Sequence, residues 1–108
     1  MVKIRLTLEK TANIFKLMGD KNRLTILCLL REKELCVCEI VDFLQTSQSN
    51  ISQHMRKLKD GGLVKESKRG QWVHYSLTEE FEYFNELIDT LPADIKKDLD
   101  QLKPKCTC

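Results

Sequence analysis

The sequence predicts a mainly α-helical protein with one small β-hairpin. Three observations indicate this fold class. Apolar residues recur at helical spacing in four segments between residues 7 and 60. Two strand-like runs, LVKESK and QWVHYSL, then flank a turn at Arg69–Gly70. A further helical pattern follows them, and no repeat or low-complexity linker divides the 108 residues, so we expect a single domain over 1–108.

Two helices are predicted before residue 34. Apolar residues between Leu8 and Met18 predict an amphipathic helix over about residues 7–18. Asp20 is a suitable N-cap for a second helix with the sequence KNRLTILCLLREK. Cys28 lies on the apolar face of this helix, so we expect it to be a small buried core residue.

Two helices joined by a short turn are predicted over residues 38–60. The first spans about residues 38–45, and the second runs from Gln48 to about Lys59 with Ser47 as its N-cap. Gly61–Gly62 ends the second helix. Its core-facing positions, at i, i+4 and i+7, are Ile51, Met55 and Leu58.

The hairpin is predicted over residues 63–77, and a helix over about 79–91 follows it before Pro92. Residues 92–108 predict one more short helix and a tail that ends in CTC. Helices in this order, followed by a hairpin and another helix, are typical of a winged helix-turn-helix. We expect a chain of this size to gain stability by forming a dimer.

The polar face of the predicted helix after residue 47 suits contact with DNA. In a helix-turn-helix the second helix lies in the major groove, where Gln, Asn, Arg and Ser reach base edges. Residues 46–75 carry six basic and two acidic side chains, whereas residues 76–108 carry four and eight. The predicted DNA-binding residues are Ser47, Gln48, Ser49, Asn50, Ser52, Gln53, His54, Arg56, Lys57, Lys68, Arg69 and Gln71.

Each DNA-binding feature taken singly also fits a solvated polar helix and an ordinary charged hairpin. Their occurrence together, with the basic charge concentrated there, favours DNA binding. His54 lies at the edge of the buried face, so packing or capping competes with base contact. The role of His74 in the hairpin is left open.

The five cysteines include two CxC pairs, CVC at residues 36–38 and CTC at residues 106–108. Two residues separated by two positions inside a helix point about 200° apart, but at a helix start both sulfurs can lie on one side. Thiolates select soft ions such as Zn(II), Cd(II), Pb(II), Cu(I) or trivalent arsenic. We favour metal ligation over redox sensing, and redox sensing over packing. The candidate ligands are Cys36, Cys38, Cys106 and Cys108.

The stretches ELCVCEI, SQSNISQHMRKLKDGGLV and KRGQWVHYSL resemble the ArsR/SmtB family of metal-responsive repressors, and within it the arsenical resistance repressors. The resemblance covers about residues 10–90. It implies a homodimer built on residues 7–18 and 79–91. It also implies that the protein binds double-stranded palindromic operator DNA without any cofactor and is released when arsenite or antimonite binds the thiolates.

The chain departs from those repressors at residue 41. They carry a third cysteine three residues after the second, where this chain has Val41. Trivalent arsenic prefers three sulfurs, so Cys106 or Cys108 is the candidate for the third. All four CxC cysteines together make an alternative four-thiolate site for Cd(II), Pb(II) or Zn(II). Residues 79–91 contain no histidine, which argues against the family's zinc site on that helix.

Several function classes are excluded or disfavoured. No apolar run approaches a membrane span and the first residues lack the apolar core of a signal peptide, so we expect a cytoplasmic protein. No acid–base pair or nucleophile–histidine arrangement indicates an enzyme. The inducing ion, the operator sequence and the subunit whose tail closes the site are not determined by the sequence.

Overall fold

A computed structural model of the chain describes residues 7–89. Apart from one additional short strand, the order of its helices and strands is that of the predicted winged helix-turn-helix. The end of the helix predicted over 79–91, the helix and tail predicted over 92–108, and Cys106 and Cys108 lie outside the described residues. The elements are α1 Leu8–Met18, α2 Lys21–Glu32, β1 Leu35–Cys36, α3 Val37–Leu44, α4 Gln48–Asp60, β2 Val64–Arg69, β3 Trp72–Leu77, a 3-10 helix Glu79–Phe84 and α5 Asn85–Asp89.

Side-chain caps fix where α2 and α4 begin. The carboxylate of Asp20 accepts a hydrogen bond from the Arg23 N–H at 3.1 Å, and the Ser47 hydroxyl accepts one from the Asn50 N–H at 3.1 Å. Both predicted N-caps are therefore confirmed. The hydrogen bond from the Arg23 backbone lowers the pKa of Asp20 below its usual value.

The core lies where α2, α3 and α4 meet. The predicted inward stripe of α4 is confirmed, since Ile51, Met55 and Leu58 are all buried. They belong to the same apolar cluster as Leu27 of α2 and Ile40 of α3. This packing fixes the orientation of α4 and turns its opposite face to solvent.

Cys28 of α2 is buried in this cluster, as predicted. Burial raises the pKa of its thiol, because the low-dielectric surroundings disfavour the thiolate. Cys28 therefore acts as a packing residue and is separate from the CVC pair.

The sheet has three antiparallel strands in the order β1-β3-β2, and it contains a strand that the sequence did not predict. The predicted hairpin is confirmed: Arg69 pairs with Trp72, and Gly70 in the turn has φ +63°. The additional strand β1 pairs Leu35 with Tyr75. It attaches the residues just before α3 to the hairpin, which we call the wing (residues 64–77).

The segment after the wing differs from the predicted continuous α-helix. It begins as the 3-10 helix, and its Phe81 and Phe84 are both buried. Residues at i and i+3 eclipse one another in a 3-10 helix, so this geometry directs both rings to the core. Phe84 also meets Phe15 of α1 edge to face, with ring centroids 5.6 Å apart. No helix within residues 7–89 is long and apolar enough to cross a bilayer.

Candidate metal centre and nucleic-acid interface

The two sulfur atoms of the CVC stretch converge at the start of α3. Cys36 ends β1 and is the N-cap of α3, with extended backbone at φ −90° and ψ 166°. Cys38 is the second residue of the helix, and the two Sγ atoms lie 2.8 Å apart. The extended cap residue removes the separation of about 200° that two such positions have inside a helix. The two sulfurs thus lie on one side of the helix start, which the position of the pair in the sequence allows.

Cys36 is held by its backbone from two directions. Its N–H donates a hydrogen bond to Oε1 of Glu39 at 3.1 Å, and its strand pairs with β3 so that Cys36 lies opposite His74. Cys36 is 1% exposed and Cys38 is half-buried, so solvent reaches the pair from the side of Cys38. The role of Glu39 was not predicted from the sequence, although glutamate three residues after a cap residue is the spacing of a capping box.

The sulfur pair suits a soft ion. The N-terminus of α3 places partial positive charge beside the two sulfurs. A cleft of about 490 Å³ opens beside Cys38, and Asp42 and Gln45 are among the residues that line it. No three His, Cys, Asp or Glu side chains of residues 7–89 stand close enough together to hold an ion as placed. Ligation by three or more donors therefore needs a rotated side chain or a donor from outside this range.

The solvent-facing side of α4 carries most of the residues predicted to contact DNA. Two of the residues predicted to contact DNA also stabilise the start of α4. Ser47 is its N-cap, and the Asn50 side-chain amide donates a hydrogen bond to Oγ1 of Thr46 at 2.9 Å. These bonds restrain both side chains in the absence of DNA. The exposed members of the set on α4 are Gln48, Ser49, Ser52, Gln53, Arg56 and Lys57.

The two histidines share an unusual feature. His54 is half-buried on α4, whereas His74 lies in β3. The Nδ1 atom of each is buried and has no hydrogen-bond partner among the residues that the structure describes. The burial of His54 favours packing over base contact for that residue.

The tip of the wing is basic and exposed. Lys68, Arg69 and Gln71 are all exposed there, as a contact with DNA requires. The guanidinium of Arg69 also pairs with the carboxylate of Glu34 at 2.7 Å. This ion pair is partly solvated and contributes little to stability, but it connects the wing tip to the residues just before Cys36. The two partners are far apart in the sequence, which gave no signal of the pair.

Large apolar side chains stay exposed where α1 lies beside the C-terminal helices. Leu8 is 87% exposed and Phe15 50% exposed on α1, while Tyr83 and Leu87 are 51% and 46% exposed. Lys10 of α1 binds Glu80 at 2.6 Å and joins the two segments. This surface, which we call the α1 patch, belongs to the residues predicted to form the dimer.

Comparison with known sequences gives consistent matches. Residues 20–66 match the model of the bacterial regulatory protein arsR family. An HTH-type transcriptional regulator of Methanocaldococcus jannaschii is 47% identical over 73 residues, which cover 67% of this chain and 82% of the relative. The arsenical resistance operon repressor of Staphylococcus xylosus is 38% identical, covering 77% and 81%. The cadmium resistance regulatory protein CadC homolog of Staphylococcus aureus is 40% identical, covering 64% and 58%.

Solved structures show the same architecture. Reduced HlyU of Vibrio cholerae superposes with a TM-score of 0.72 at 38% identity, covering 79% of this chain and 90% of that chain. The homodimeric winged helix-turn-helix DNA-binding domain of Mb0332 from Mycobacterium bovis gives a TM-score of 0.71 at 25% identity, covering 83% and 84%. The predicted winged helix-turn-helix is confirmed by these likenesses.

Proposed function

Because the chain belongs to the arsR family of bacterial regulatory proteins, which are DNA-binding transcriptional regulators and not enzymes, we propose that it is a repressor released from operator DNA by trivalent arsenic or antimony. The observation that carries the proposal is the convergence of the Cys36 and Cys38 sulfurs, 2.8 Å apart, in the helix-turn-helix itself. Such a repressor works in the cytoplasm, where its operator lies, and needs no cofactor to bind DNA.

DNA recognition is assigned to α4 and the wing. The exposed Gln53 and Arg56 have the chemistry to pair with adenine and guanine edges in the major groove. Lys57 on α4 and Lys68 on the wing supply charge for phosphates. Binding with this many cations falls as salt rises, because counterions released from the DNA drive part of the affinity.

The proposed dimer forms through the α1 patch. Leu8 and Phe15 on α1, with Tyr83 and Leu87 on the C-terminal segment, expose apolar surface that water solvates poorly. Covering it with a second copy places two α4 helices on one face of the DNA. In helix-turn-helix dimers the two half-sites lie one helical turn apart, about 34–36 Å. The homodimeric structure of the Mycobacterium bovis domain supports this assembly.

Cys36 and Cys38 are the two ligands that the described residues supply to the inducer. Trivalent arsenic bonds three sulfurs in its preferred geometry, and either Cys106 or Cys108 is the proposed third. The likeness to an arsenical resistance operon repressor supports this choice of ion.

The release mechanism follows from where Cys36 lies. It ends β1, caps α3 and pairs with β3, so any shift of its side chain acts on the first motif helix and on the wing at once. An ion releases DNA only if it binds the DNA-free arrangement more tightly than the DNA-bound one. Coupling free energies of this kind are about 1–3 kcal/mol, which corresponds to roughly 5–150-fold in operator affinity.

Two other inducers are supported by particular observations. A Cd(II), Pb(II) or Zn(II) response through four thiolates is supported by the likeness to a cadmium resistance regulatory protein. A thiol redox response is supported by the short distance between the Cys36 and Cys38 sulfurs, since oxidation can join them. In that case peroxide alone releases DNA and leaves a reducible disulfide.

The experiment is a fluorescence anisotropy titration of a DNA duplex selected in vitro by the reduced protein. We expect arsenite to release the duplex at about one ion per subunit. The Cys38→Ser variant is expected to bind the duplex normally and to stay bound in arsenite. The matched control is Cys28→Ser, which removes a buried thiol outside the pair and leaves arsenite release intact.

The same titration separates the inducers. Release by Cd(II) alone supports the four-thiolate alternative, and release by peroxide without any ion supports the redox alternative. Release of Cys38→Ser by arsenite at the wild-type concentration contradicts the proposed site. Failure of the reduced protein to select any duplex contradicts DNA binding itself.

A further inference from the structure

His74 of the wing lies directly opposite Cys36 in the antiparallel pair of β1 and β3. Directly opposed residues of such a pair project to the same face, with their Cβ atoms about 4.5–5.5 Å apart. A cysteine sulfur bonds Zn(II) at about 2.3 Å and a histidine nitrogen at about 2.0–2.1 Å. The cross-strand pair therefore places a sulfur-bearing and an imidazole-bearing side chain on the same face of the sheet.

The Nδ1 atom of the His74 imidazole is in a position to act as a ligand. This atom is buried and makes no hydrogen bond with any of residues 7–89. Leaving a buried polar atom without a partner is unfavourable, so the position favours a ligand that binds this nitrogen. His74 is the single histidine of β3, and the strand contains no cysteine.

We propose that Nδ1 of His74 is the third donor of the site formed by Cys36 and Cys38, and that the resulting set of two sulfurs and one nitrogen binds a divalent Zn(II) or Cd(II) ion. The proposal rests on the proposed function, because it uses the same thiolate pair. The three groups do not yet enclose an ion as placed, so the ring or a cysteine side chain must rotate. A water completes the usual four ligands of zinc.

The donor set decides which ions need His74. Imidazole together with thiolate suits zinc and its neighbours, whereas trivalent arsenic bonds sulfur and gains little from imidazole. We therefore expect His74 to matter for Zn(II) and Cd(II) but not for arsenite. Arsenite-induced release is then independent of this residue.

An ion that His74 ligates is also bonded directly to the wing. His74 faces Ser67 of β2 on its other side, two residues from the basic tip at Arg69. An ion shared by the start of α3 and the middle of β3 fixes the wing relative to the first motif helix. The wing then no longer adjusts freely to the DNA.

The test uses Co(II) as a spectroscopic substitute for Zn(II) on the reduced full-length chain. Thiolate-to-cobalt charge transfer reports the sulfurs, and the d–d bands report the whole ligand set. We expect His74→Gln to lower Co(II) affinity at least about tenfold and to change the d–d bands. His74→Cys is expected to restore tight binding with a stronger charge-transfer band. A merely structural role for His74 does not predict that rescue.

The matched control is His54→Gln, which removes the other unpartnered imidazole nitrogen and should leave the cobalt spectrum unchanged. Circular dichroism of each variant checks that it is folded. A His74→Gln protein with wild-type affinity and bands overturns the inference, as does wild-type protein without a thiolate-to-cobalt band. Release of DNA by arsenite, measured on the same preparations, tests the proposed function separately.

Discussion

The hydrogen bond between Glu39 and the backbone of Cys36 is expected to restrain the Cys36–Cys38 sulfur pair, and mutation of Glu39 tests this directly. Oε1 of Glu39 accepts the Cys36 N–H at 3.1 Å, at the positively polarised end of α3. Removing a capping side chain typically costs about 0.5–2 kcal/mol. Glu39 is half-buried, so its bond is partly solvated and the lower half of that range applies.

We therefore predict that Glu39→Ala lowers the free energy of unfolding by about 1 kcal/mol. Glu39→Gln keeps an acceptor oxygen and loses only the charge–dipole interaction, so we expect about half that loss. The assay is urea unfolding at a fixed chain concentration, followed by fluorescence of Trp72, the single tryptophan. Trp72 lies in β3, the strand that pairs with β1.

The control is Glu32→Ala, which removes an exposed carboxylate from the C-terminal end of α2, where a negative charge is not favoured. We expect that variant to be as stable as the wild type or slightly more stable. Unfolding of Glu39→Ala and Glu32→Ala at the same urea concentration would show that the Glu39 hydrogen bond does not stabilise the start of α3. Arsenite affinity of Glu39→Ala should fall as well, because the backbone of Cys36 loses its restraint.

Three further predictions concern other parts of the molecule. Gly62→Ala should lower stability more than Gly70→Ala, although both glycines have positive φ. A Cβ at Gly62 lies 2.8 Å from an oxygen of Glu80 and displaces the carboxylate that pairs with Lys10, whereas a Cβ at Gly70 meets nothing within 4 Å. Cys28 should resist iodoacetamide in the reduced native protein, because burial raises the pKa of its thiol. For the same reason, the free energy of unfolding should fall as pH rises above the ordinary thiol pKa, since the unfolded chain then loses this proton more readily than the folded one. Lys57→Ala should reduce the slope of log affinity against log salt by about 1.

Each of these predictions has a contradicting result. Equal unfolding midpoints for the two glycine variants argue against the close approach at Gly62. Alkylation of Cys28 as fast as that of the half-buried Cys38 argues against its burial. The matched control for Lys57→Ala is Lys33→Ala, an exposed lysine at the end of α2 that should leave the salt slope unchanged. Equal slopes for the two lysine variants remove Lys57 from the DNA interface.

Local signals predicted most of the fold. The caps Asp20 and Ser47 act within three residues of themselves, so the sequence alone locates the helix starts that they stabilise. The buried stripe of α4 follows from spacing in the same way. The convergence of the Cys36 and Cys38 sulfurs was predictable because it depends only on a helix beginning between them.

The features that were missed depend on contacts between distant residues. Strand β1 has two residues, too few to show alternation, and it exists because β3 pairs with it. The pairing of Cys36 with His74 and the ion pair of Glu34 with Arg69 follow from that strand and from nothing local. The proposed third sulfur donors lie in the tail, outside the described residues, and their role stays a prediction.

In the proposed mechanism, ion binding at the Cys36–Cys38 sulfur pair and operator binding oppose each other. Calorimetric titration of arsenite into the free and the DNA-bound protein measures this opposition. Linkage requires the two affinities to differ by the factor by which arsenite weakens operator binding. We expect arsenite to bind the DNA complex about 5–150-fold more weakly than the free protein, and to show no measurable binding to the Cys36→Ser variant. Equal arsenite affinity with and without DNA contradicts this mechanism.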